Sequence, residues 1–232
     1  MKLYSDIFID FDDTLYDTHG NADLALREVY CLYDLGKYFD DPNIFFSTYW
    51  KVNAEVWEKY AMGEITKNEL IVERFKRPLS LGMDSVDDDF CKSINNTFLM
   101  CCSDKTGVVP GAHELVDYLR EKGYRIHICS NGFHEVQYKK LRSCNMLDKF
   151  DSIILSEDAG ANKPSGLFFD YAFRMTGADR KSTIMIGDNL VTDMLGARNA
   201  GIDTIYFRRK DQPLSDEVMY TVESLEDICK IL

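Results

Sequence analysis

From residue 108 to its end, the chain alternates short apolar runs with helix-length segments, and this alternation constrains the fold more than any other feature of the sequence. Strand-like runs occupy residues 124–129, 152–155, 183–186 and 204–207, and each gap between them is long enough for a helix. In the last of these gaps, a loop and then a helix over residues 192–200 are predicted. Parallel strands joined by helical crossovers form a sheet that is covered on both faces. The sequence therefore predicts an α/β domain with a doubly wound parallel sheet.

A further strand is predicted at residues 7–9, and a long stretch without strand signals follows it. Helices are predicted there at residues 21–35, 41–62, 66–75 and 84–102. The second opens on an Asp-Pro pair, and Thr66 with Glu69 forms a capping box for the third. Four helices with short connections can pack as a bundle. We therefore predict a helical domain over residues 16–105, inserted into an α/β core domain made of residues 1–15 and 106–232.

The charge balance limits the classes of partner. The 232 residues include 39 acidic and 27 basic side chains, which gives a formal net charge of −12. Such a field repels nucleic acid polymers and anionic membrane surfaces, whereas a local site can still bind a small anion. An excess of carboxylates also suits a metal-dependent site. The composition therefore argues against a nucleic acid polymer or a membrane as a partner.

The cysteines and the hydropathy pattern indicate the compartment. Seven cysteines are present, without a CxxC spacing, and Cys101 and Cys102 are adjacent and poorly placed to pair with each other. The sequence has no secretory leader pattern and no apolar run long enough to cross a bilayer. We therefore expect a reduced, cytoplasmic protein.

Hydrophilic residues follow the predicted strands, where the carboxyl ends of a parallel sheet bind ligands. They are Asp10, Asp12, Ser130, Lys163, Asp188 and Asp193. Three carboxylates near one point, those of Asp10, Asp12 and Asp188, call for a hard divalent cation such as Mg²⁺. A serine hydroxyl and a lysine ammonium suit a phosphate group. Since the chain has no GxxxxGK[ST] loop, a carboxylate nucleophile that accepts a phosphoryl group fits better than a nucleoside triphosphatase.

Four short segments resemble, in order, the four motifs of the haloacid dehalogenase-like hydrolase superfamily. They are DFDDT at residues 10–14, SNG at 130–132, KP at 163–164 and GDNLVTD at 187–193. The predicted helical insert also falls where this family places its cap, after the first motif. The resemblance covers essentially the whole chain and implies a Rossmann-like core with a helical cap.

The resemblance also implies roles for these residues. Asp10 would be the nucleophile that forms an aspartyl-phosphate, and Asp12 would protonate the leaving alcohol and later accept a proton from the attacking water. Ser130 and Asn131 would bind the phosphoryl group, and Lys163 would steady both Asp10 and that group. Family members that cleave carbon–halogen bonds lack the acid at the position of Asp12. Its presence favours a phosphatase, because an alkoxide needs a proton donor and a halide does not.

The metal ligands follow from the same resemblance. Asp10, the main-chain carbonyl of Asp12 and the carboxylate of Asp188 would hold Mg²⁺. Asp193 would lie behind these ligands and orient them.

Three further segments indicate a branch of the family. SNGFHEVQ at residues 130–137, LSED at 155–158 and AGIDT at 200–204 resemble the enzymes that dephosphorylate pyrimidine nucleoside monophosphates. We therefore predict a Mg²⁺-dependent phosphomonoesterase acting on a small phosphorylated metabolite, with a pyrimidine nucleoside 5′-monophosphate as the leading candidate substrate. A sugar-phosphate phosphatase or phosphomutase and a catalytically idle binding protein on the same scaffold are the alternatives.

Overall fold

The computed structural model describes residues 4–210 and 212–232, which contain one six-stranded parallel sheet. The strands are β1 (Asp6–Ile9), β2 (Arg125–Ser130), β3 (Ser152–Leu155), β4 (Thr183–Gly187), β5 (Asp203–Phe207) and β6 (Tyr220–Val222). They lie side by side in the order β3-β2-β1-β4-β5-β6. The order reverses between β1 and β4, the position at which open α/β sheets form a ligand-binding crevice. The prediction of a doubly wound parallel sheet is confirmed.

The strand register brings the sequence motifs to one edge of the sheet. Ile9, the last residue of β1, is aligned with Ile128 of β2 and Ile186 of β4. The Asp10 amide continues this ladder by donating to the Ile186 carbonyl at 2.9 Å. Residues that follow β1, β2 and β4 therefore leave the sheet at the same end.

Both faces of the sheet are packed, which explains why β1 and β4 are buried at every position and mostly apolar. Ile7 and Ile9 of β1 belong to one hydrophobic cluster, whereas Phe8 belongs to another. Successive strand residues point to opposite faces, so each cluster lies on one face of the sheet. This packing fixes the strand ends that carry the motifs.

The helical insert consists of α1 (Thr18–Leu32), α2 (Pro42–Ala61), α3 (Lys67–Leu79) and α4 (Asp88–Ser103). The Asp41 side chain accepts from the Asn43 amide at the start of α2, and the predicted capping box of Thr66 and Glu69 is present on α3. The buried aromatic rings of α2 and its neighbours form the core of this unit. Phe45 and Tyr49, the fully buried aromatic residues of α2, thus serve packing.

The helix bounds differ from the predicted ones in three places. The first helix covers Thr18–Leu32 and ends before Asp34, which adopts a left-handed conformation with φ 49°. Helix α3 continues to Leu79 and includes Pro78 in its last turn, whereas the predicted helix ended at residue 75. Helix α4 begins at Asp88, four residues late, where the Asp87 side chain accepts from the Phe90 amide.

The remaining helices belong to the core domain. They are α5 (Ala112–Glu121), α6 (His134–Ser143), α7 (Ser156–Ala159), α8 (Gly166–Thr176), α9 (Gly196–Asn199) and α10 (Leu225–Ile228). A π-helical turn over Leu190–Leu195 precedes α9, where a single α-helix over residues 192–200 was expected. None of the described helices combines the length and the apolar character needed to span a bilayer.

The chain separates into two compact units. One contains the residues up to Thr18 and from Thr106 onward, and the other is His19–Lys105. The division on the amino-terminal side thus lies three residues after the predicted domain boundary.

Candidate active site

Asp10 lies directly after β1 and is almost completely buried, with 6% of its surface exposed. Its Oδ1 accepts a hydrogen bond from Lys163 Nζ at 2.6 Å, and its Oδ2 accepts a longer one from Thr14 Oγ1 at 3.3 Å. Burial, together with the carboxylates of Asp193 and Asp188, raises the pKa of Asp10 well above its ordinary value despite the opposing charge of Lys163. The free lone pairs of Oδ2 remain open to a cation or a substrate.

Lys163 is a fully buried cation with three partners. Its Nζ donates to Asp10 Oδ1 and Asp193 Oδ1, both at 2.6 Å, and to the Cys129 carbonyl at 2.7 Å. Burial disfavours its charged form, but the two carboxylates outweigh that effect and raise the pKa of Lys163. All three ammonium protons are thus assigned, and the group is held as a fixed positive charge.

The Asn131 side chain sets the position of Lys163. Its Oδ1 accepts from the Lys163 amide at 2.8 Å, and its Nδ2 donates to the Lys163 carbonyl at 3.0 Å. Both polar atoms of the side chain are used in this way. One Nδ2 proton is not used in these bonds, so this proton and the main-chain amide are the donors that Asn131 offers to a phosphate.

Asp188 directly follows β4, and Asp193 lies in the π-helical turn that comes next. The Asn189 side chain caps the turn by accepting from the amides of Val191 and Thr192. Asp193 Oδ1 accepts from Lys163 and its Oδ2 from the Asn189 amide at 3.1 Å. A Cβ on Gly187 would lie 2.4 Å from Asp193 Oδ2, so only glycine at position 187 leaves room for this carboxylate.

Asp10, Asp188 and Asp193 form a buried group that could hold a metal ion, since one ligand atom from each lies within 4.8 Å of the others. Among the described residues, Asp188 has only weak partners: Thr14 Oγ1, Gln212 Nε2 and Arg209 Nε each lie 3.5 Å from it. Burial, together with Asp193 and Asp13, raises the pKa of Asp188 to about 7. Because both oxygens of Asp193 already accept short hydrogen bonds, Asp10 and Asp188 are the better ligands.

The charges around this group fit a divalent cation. Five carboxylates and three cationic side chains are in contact here: Asp10, Asp12, Asp13, Asp188 and Asp193 with Lys140, Lys163 and Arg209. With every group ionised, two negative charges remain. Oxygen donors with a residual charge of this size suit Mg²⁺.

Asp12 lies apart from the metal-binding group, in contrast to the expectation that its carboxylate would join Asp10 and Asp188. Its Oδ1 accepts from Lys140 Nζ at 2.5 Å and from Thr18 Oγ1 at 2.6 Å. Its Oδ2 accepts from Gln137 Nε2 at 2.5 Å and lies 3.4 Å from Ser130 Oγ. Burial opposes ionisation, but Lys140 and the other donors outweigh it and lower the pKa of Asp12.

Gln137 and Lys140 lie on α6 just after the SNG motif and were not predicted as site residues. Their three-residue spacing places them on one face of the helix, and this was the available signal. Polar residues at this spacing on a helix usually face solvent, so the signal is weak. The contact with Asp12 depends on how α6 packs.

Arg209 was also missed as a site residue. It forms an ion pair with Asp13 at 2.8 Å, and its Nε lies 3.5 Å from Asp188 Oδ2. Asp13 adopts a left-handed conformation with φ 61°, within the turn that follows Asp12. The third acid of the first motif therefore pairs with a cation that follows β5, at the edge of the metal-binding group.

The sequence profile of the haloacid dehalogenase-like hydrolases matches residues 7–201. The chain belongs to this family. The match begins in β1 and includes all four segments that carry the site: those of Asp10, Ser130, Lys163 and Asp188. The protein is thus a hydrolase of this family with a buried aspartate group that can bind a metal.

Known proteins similar to the chain over its full length agree with this assignment. The crystal structure of YfnB from Bacillus subtilis bound to magnesium superposes with a TM-score of 0.89 at 27% identity and covers 100% of this chain and 99% of that one. The pyrimidine 5′-nucleotidase YjjG of Escherichia coli is 30% identical over 97% of this chain and 96% of its own length. The glyceraldehyde 3-phosphate phosphatase of Pyrococcus abyssi is 28% identical over 97% and 92%.

Proposed function

We propose that the protein is a Mg²⁺-dependent phosphomonoesterase that works through an aspartyl-phosphate on Asp10. The observation that supports this most is the separation of two acids on one loop. Asp10 is held by Lys163 beside Asp188, whereas Asp12 is held by Lys140 beside Ser130. Two carboxylates in distinct settings can perform distinct tasks, one as nucleophile and one as proton donor and acceptor.

Asp10 attacks the phosphorus atom through Oδ2, the oxygen with only a weak hydrogen bond. Lys163 holds the other oxygen and offers a positive charge beside the transferring group. Ser130 donates to a phosphoryl oxygen, and the main chain of Asn131 adds a second contact. Mg²⁺ bound by Asp10, Asp188 and the main-chain carbonyl of Asp12 would neutralise phosphate charge, while Asp193 fixes Lys163 from behind.

Asp12 completes both half-reactions. The negative charge of the bound phosphate ester opposes the lowered pKa of Asp12, which enters the reaction protonated. As the ester bond breaks, Asp12 gives this proton to the leaving alkoxide, and the phosphoryl group becomes bonded to Asp10. Water then attacks this phosphoryl group, Asp12 takes the proton from the water, and Asp10 is released together with inorganic phosphate. A halide would need no proton donor, so Asp12 favours phosphate esters over haloacids.

A pyrimidine nucleoside 5′-monophosphate is the proposed substrate. Support comes from the segments 130–137, 155–158 and 200–204 and from the similarity to YjjG, a pyrimidine 5′-nucleotidase. The similarity to a glyceraldehyde 3-phosphate phosphatase, at almost the same identity, favours a phosphorylated sugar as the second candidate. A phosphomutase would use the same groups but return the phosphoryl group to the product.

The test is phosphate release from a panel of nucleoside monophosphates and sugar phosphates with Mg²⁺. We expect release of inorganic phosphate that stops with a chelator and falls roughly a thousandfold or more in Asp10→Asn, since loss of a nucleophile costs several powers of ten. Asp158→Asn, an exposed acid on α7, is the matched control and should retain full activity.

Other outcomes would select the alternatives. An isomeric sugar phosphate formed without free phosphate indicates a phosphomutase. Inertness towards the whole panel with Mg²⁺ bound indicates a binding protein. Full activity of Asp10→Asn would overturn the proposal.

A further inference from the structure

Helix α6 brings two buried polar side chains to Asp12. Gln137 is 1% exposed and Lys140 is 8% exposed, although glutamine and lysine usually lie at the surface. Both side chains end on the Asp12 carboxylate. Burying a lysine and an amide group costs stability unless hydrogen-bond partners compensate. The shared partner, the Asp12 carboxylate, therefore indicates the role of Gln137 and Lys140.

The two oxygens of Asp12 have different surroundings. Lys140 Nζ and Thr18 Oγ1 both donate to Oδ1, at 2.5 and 2.6 Å. Oδ2 accepts from Gln137 Nε2 and faces Ser130 Oγ at 3.4 Å. Oδ1 is thus occupied by two short hydrogen bonds, and Oδ2 is the oxygen directed towards the phosphate-binding hydroxyl.

Gln137 also connects Asp12 to Ser130. The same Nε2 that donates to Asp12 donates to Ser130 Oγ at 2.6 Å. The Ser130 oxygen accepts from the Gly132 amide as well, at 3.0 Å, and its own proton is directed at Asp12 Oδ2 in a long contact of 3.4 Å that a phosphoryl oxygen can replace. One amide group therefore fixes the distance between the proton-transferring acid and the phosphate-binding hydroxyl.

We propose that Gln137 and Lys140 are positioning residues that direct Asp12 Oδ2 at the leaving-group oxygen. The inference rests on the proposed function, because it assigns the geometry of the acid–base step in that reaction. Gln137 and Lys140 do not touch the reacting atoms. They act by excluding other orientations of the Asp12 side chain.

Two features of this arrangement are not explained by a purely structural role: a buried polar atom without a partner and a close approach that requires glycine. Gln137 Oε1 is buried and accepts no hydrogen bond from any residue in the described part of the chain, which costs about 1–3 kcal/mol for such a group. A Cβ at position 132 would lie 2.2 Å from Gln137 Nε2, so the amide fits only because residue 132 is glycine. Deviations of this kind concentrate at functional sites.

The test compares two leaving groups. The phenolate of 4-nitrophenyl phosphate leaves without a proton, whereas the alkoxide of an alkyl phosphate requires one. kcat/KM reports the steps up to release of this group, before water attacks the phosphoryl group on Asp10. Lys140→Met should lower kcat/KM for the best alkyl ester of the panel by about tenfold or more, within the range of acid–base catalysis, and that for the aryl ester by less than about threefold.

Gln137→Leu should show the same selective loss, and Lys140→Arg, which keeps the cation, should recover part of it. Lys139→Met is the matched control, since Lys139 is the neighbouring exposed lysine on α6. Thermal melts of all variants accompany the kinetics. If Lys140→Met does not fold, the two esters are compared in Gln137→Leu and Lys140→Arg instead.

Equal losses for both esters would overturn the proposal and make Gln137 and Lys140 structural residues, while the Asp10-dependent hydrolysis of the wild type stands. Failure of the wild type to release phosphate from either ester would instead overturn the proposed function.

Discussion

Lys163 shows how a single side chain can determine the electrostatics of this site. It is buried and forms ion pairs with two buried carboxylates, those of Asp10 and Asp193. Desolvation makes such a group expensive, and only close partners keep it charged. The KP motif predicted that Lys163 would approach Asp10. Sequence alone did not predict its contact with Asp193, because that contact depends on the π-helical turn.

Removal of Lys163 should therefore destabilise the metal-free protein. In Lys163→Met at pH 8 with a chelator, two buried carboxylates lose their counter-charge, and we expect the free energy of unfolding to fall by about 3–5 kcal/mol. Urea denaturation measures this difference. Lys181→Met, at an exposed lysine before β4, should change it by less than about 0.5 kcal/mol. A loss below about 1 kcal/mol in Lys163→Met would show that the carboxylates do not depend on this cation.

At the scale of elements, strands β1 and β2 share a buried polar contact away from the active site. Asp6 Oδ1 lies 3.0 Å from His127 Nε2, and Arg125 Nη2 approaches the same carboxylate at 2.7 Å. Burial, opposed by Asp6 and Asp151, lowers the pKa of His127. Burial of Asp6 works against ionisation, but Ser5, His127 and Arg125 outweigh it and lower the pKa of Asp6.

Both shifts make the fold less stable in acid. The fold favours neutral His127, so its contribution is complete above the unfolded pKa of about 6.5 and declines as pH falls towards the lower folded pKa. The fold favours ionised Asp6, whose contribution is complete above the unfolded pKa of about 4 and is lost as pH falls through the lower folded value. As the pH falls from neutral, the stability contributed by His127 is therefore lost before the stability contributed by Asp6.

We predict that His127→Gln, which can still donate to Asp6 but does not titrate, loses less stability than the wild type as the pH is lowered from 7 towards 5. Urea denaturation of both proteins at each pH in this range measures the difference between their free energies of unfolding. The metal-binding carboxylates contribute equally to both proteins, so their contribution cancels in this difference. His113→Gln serves as the control and should follow the wild type. Identical slopes for His127→Gln and the wild type would contradict the assignment.

Strands and a helix-capping box could be predicted better than the π-helical turn. The strand over Ser152–Leu155 and the capping box at Thr66 agree with the sequence, because apolar runs and caps are local signals. The turn over Leu190–Leu195 was expected to be loop followed by α-helix. Its geometry follows from Asn189, whose carbonyl accepts from the amides of both Asp193 and Met194, a bifurcated contact that no periodicity reveals.

At the scale of the whole molecule, the sequence predicted an inserted helical domain and a doubly wound core, because strand and helix signals separate along the chain. The strand order could not be predicted, since it depends on how crossovers pack on the two faces. The same limit applies to the partners of Asp12. Gln137 follows the SNG motif closely in sequence, but its contact requires α6 to lie against the first motif.

Each compact unit has its own hydrophobic core, and we propose that the core domain folds without the insert. The clusters around Ile7 and Phe8 draw all their members from the core unit, and the chain ends that flank the insert already meet there. The Asp17 amide donates to the Gly107 carbonyl at 3.2 Å, and Tyr16 pairs with Val108 in an antiparallel bridge. A short linker can therefore close this gap with little strain.

Replacement of residues 19–105 by a short Gly/Ser linker should thus give a protein that unfolds cooperatively and still releases phosphate from 4-nitrophenyl phosphate with Mg²⁺. It keeps Asp10, Asp12, Thr18, Lys140 and Lys163, but it loses the helical unit, so we expect its preference among alkyl esters to disappear. Circular dichroism melts and the substrate panel measure the two effects, with Asp10→Asn in the same truncated chain as the control. A chain without a cooperative transition would show that the insert is needed to fold the core. Retained preference among esters would show that the core residues select the substrate.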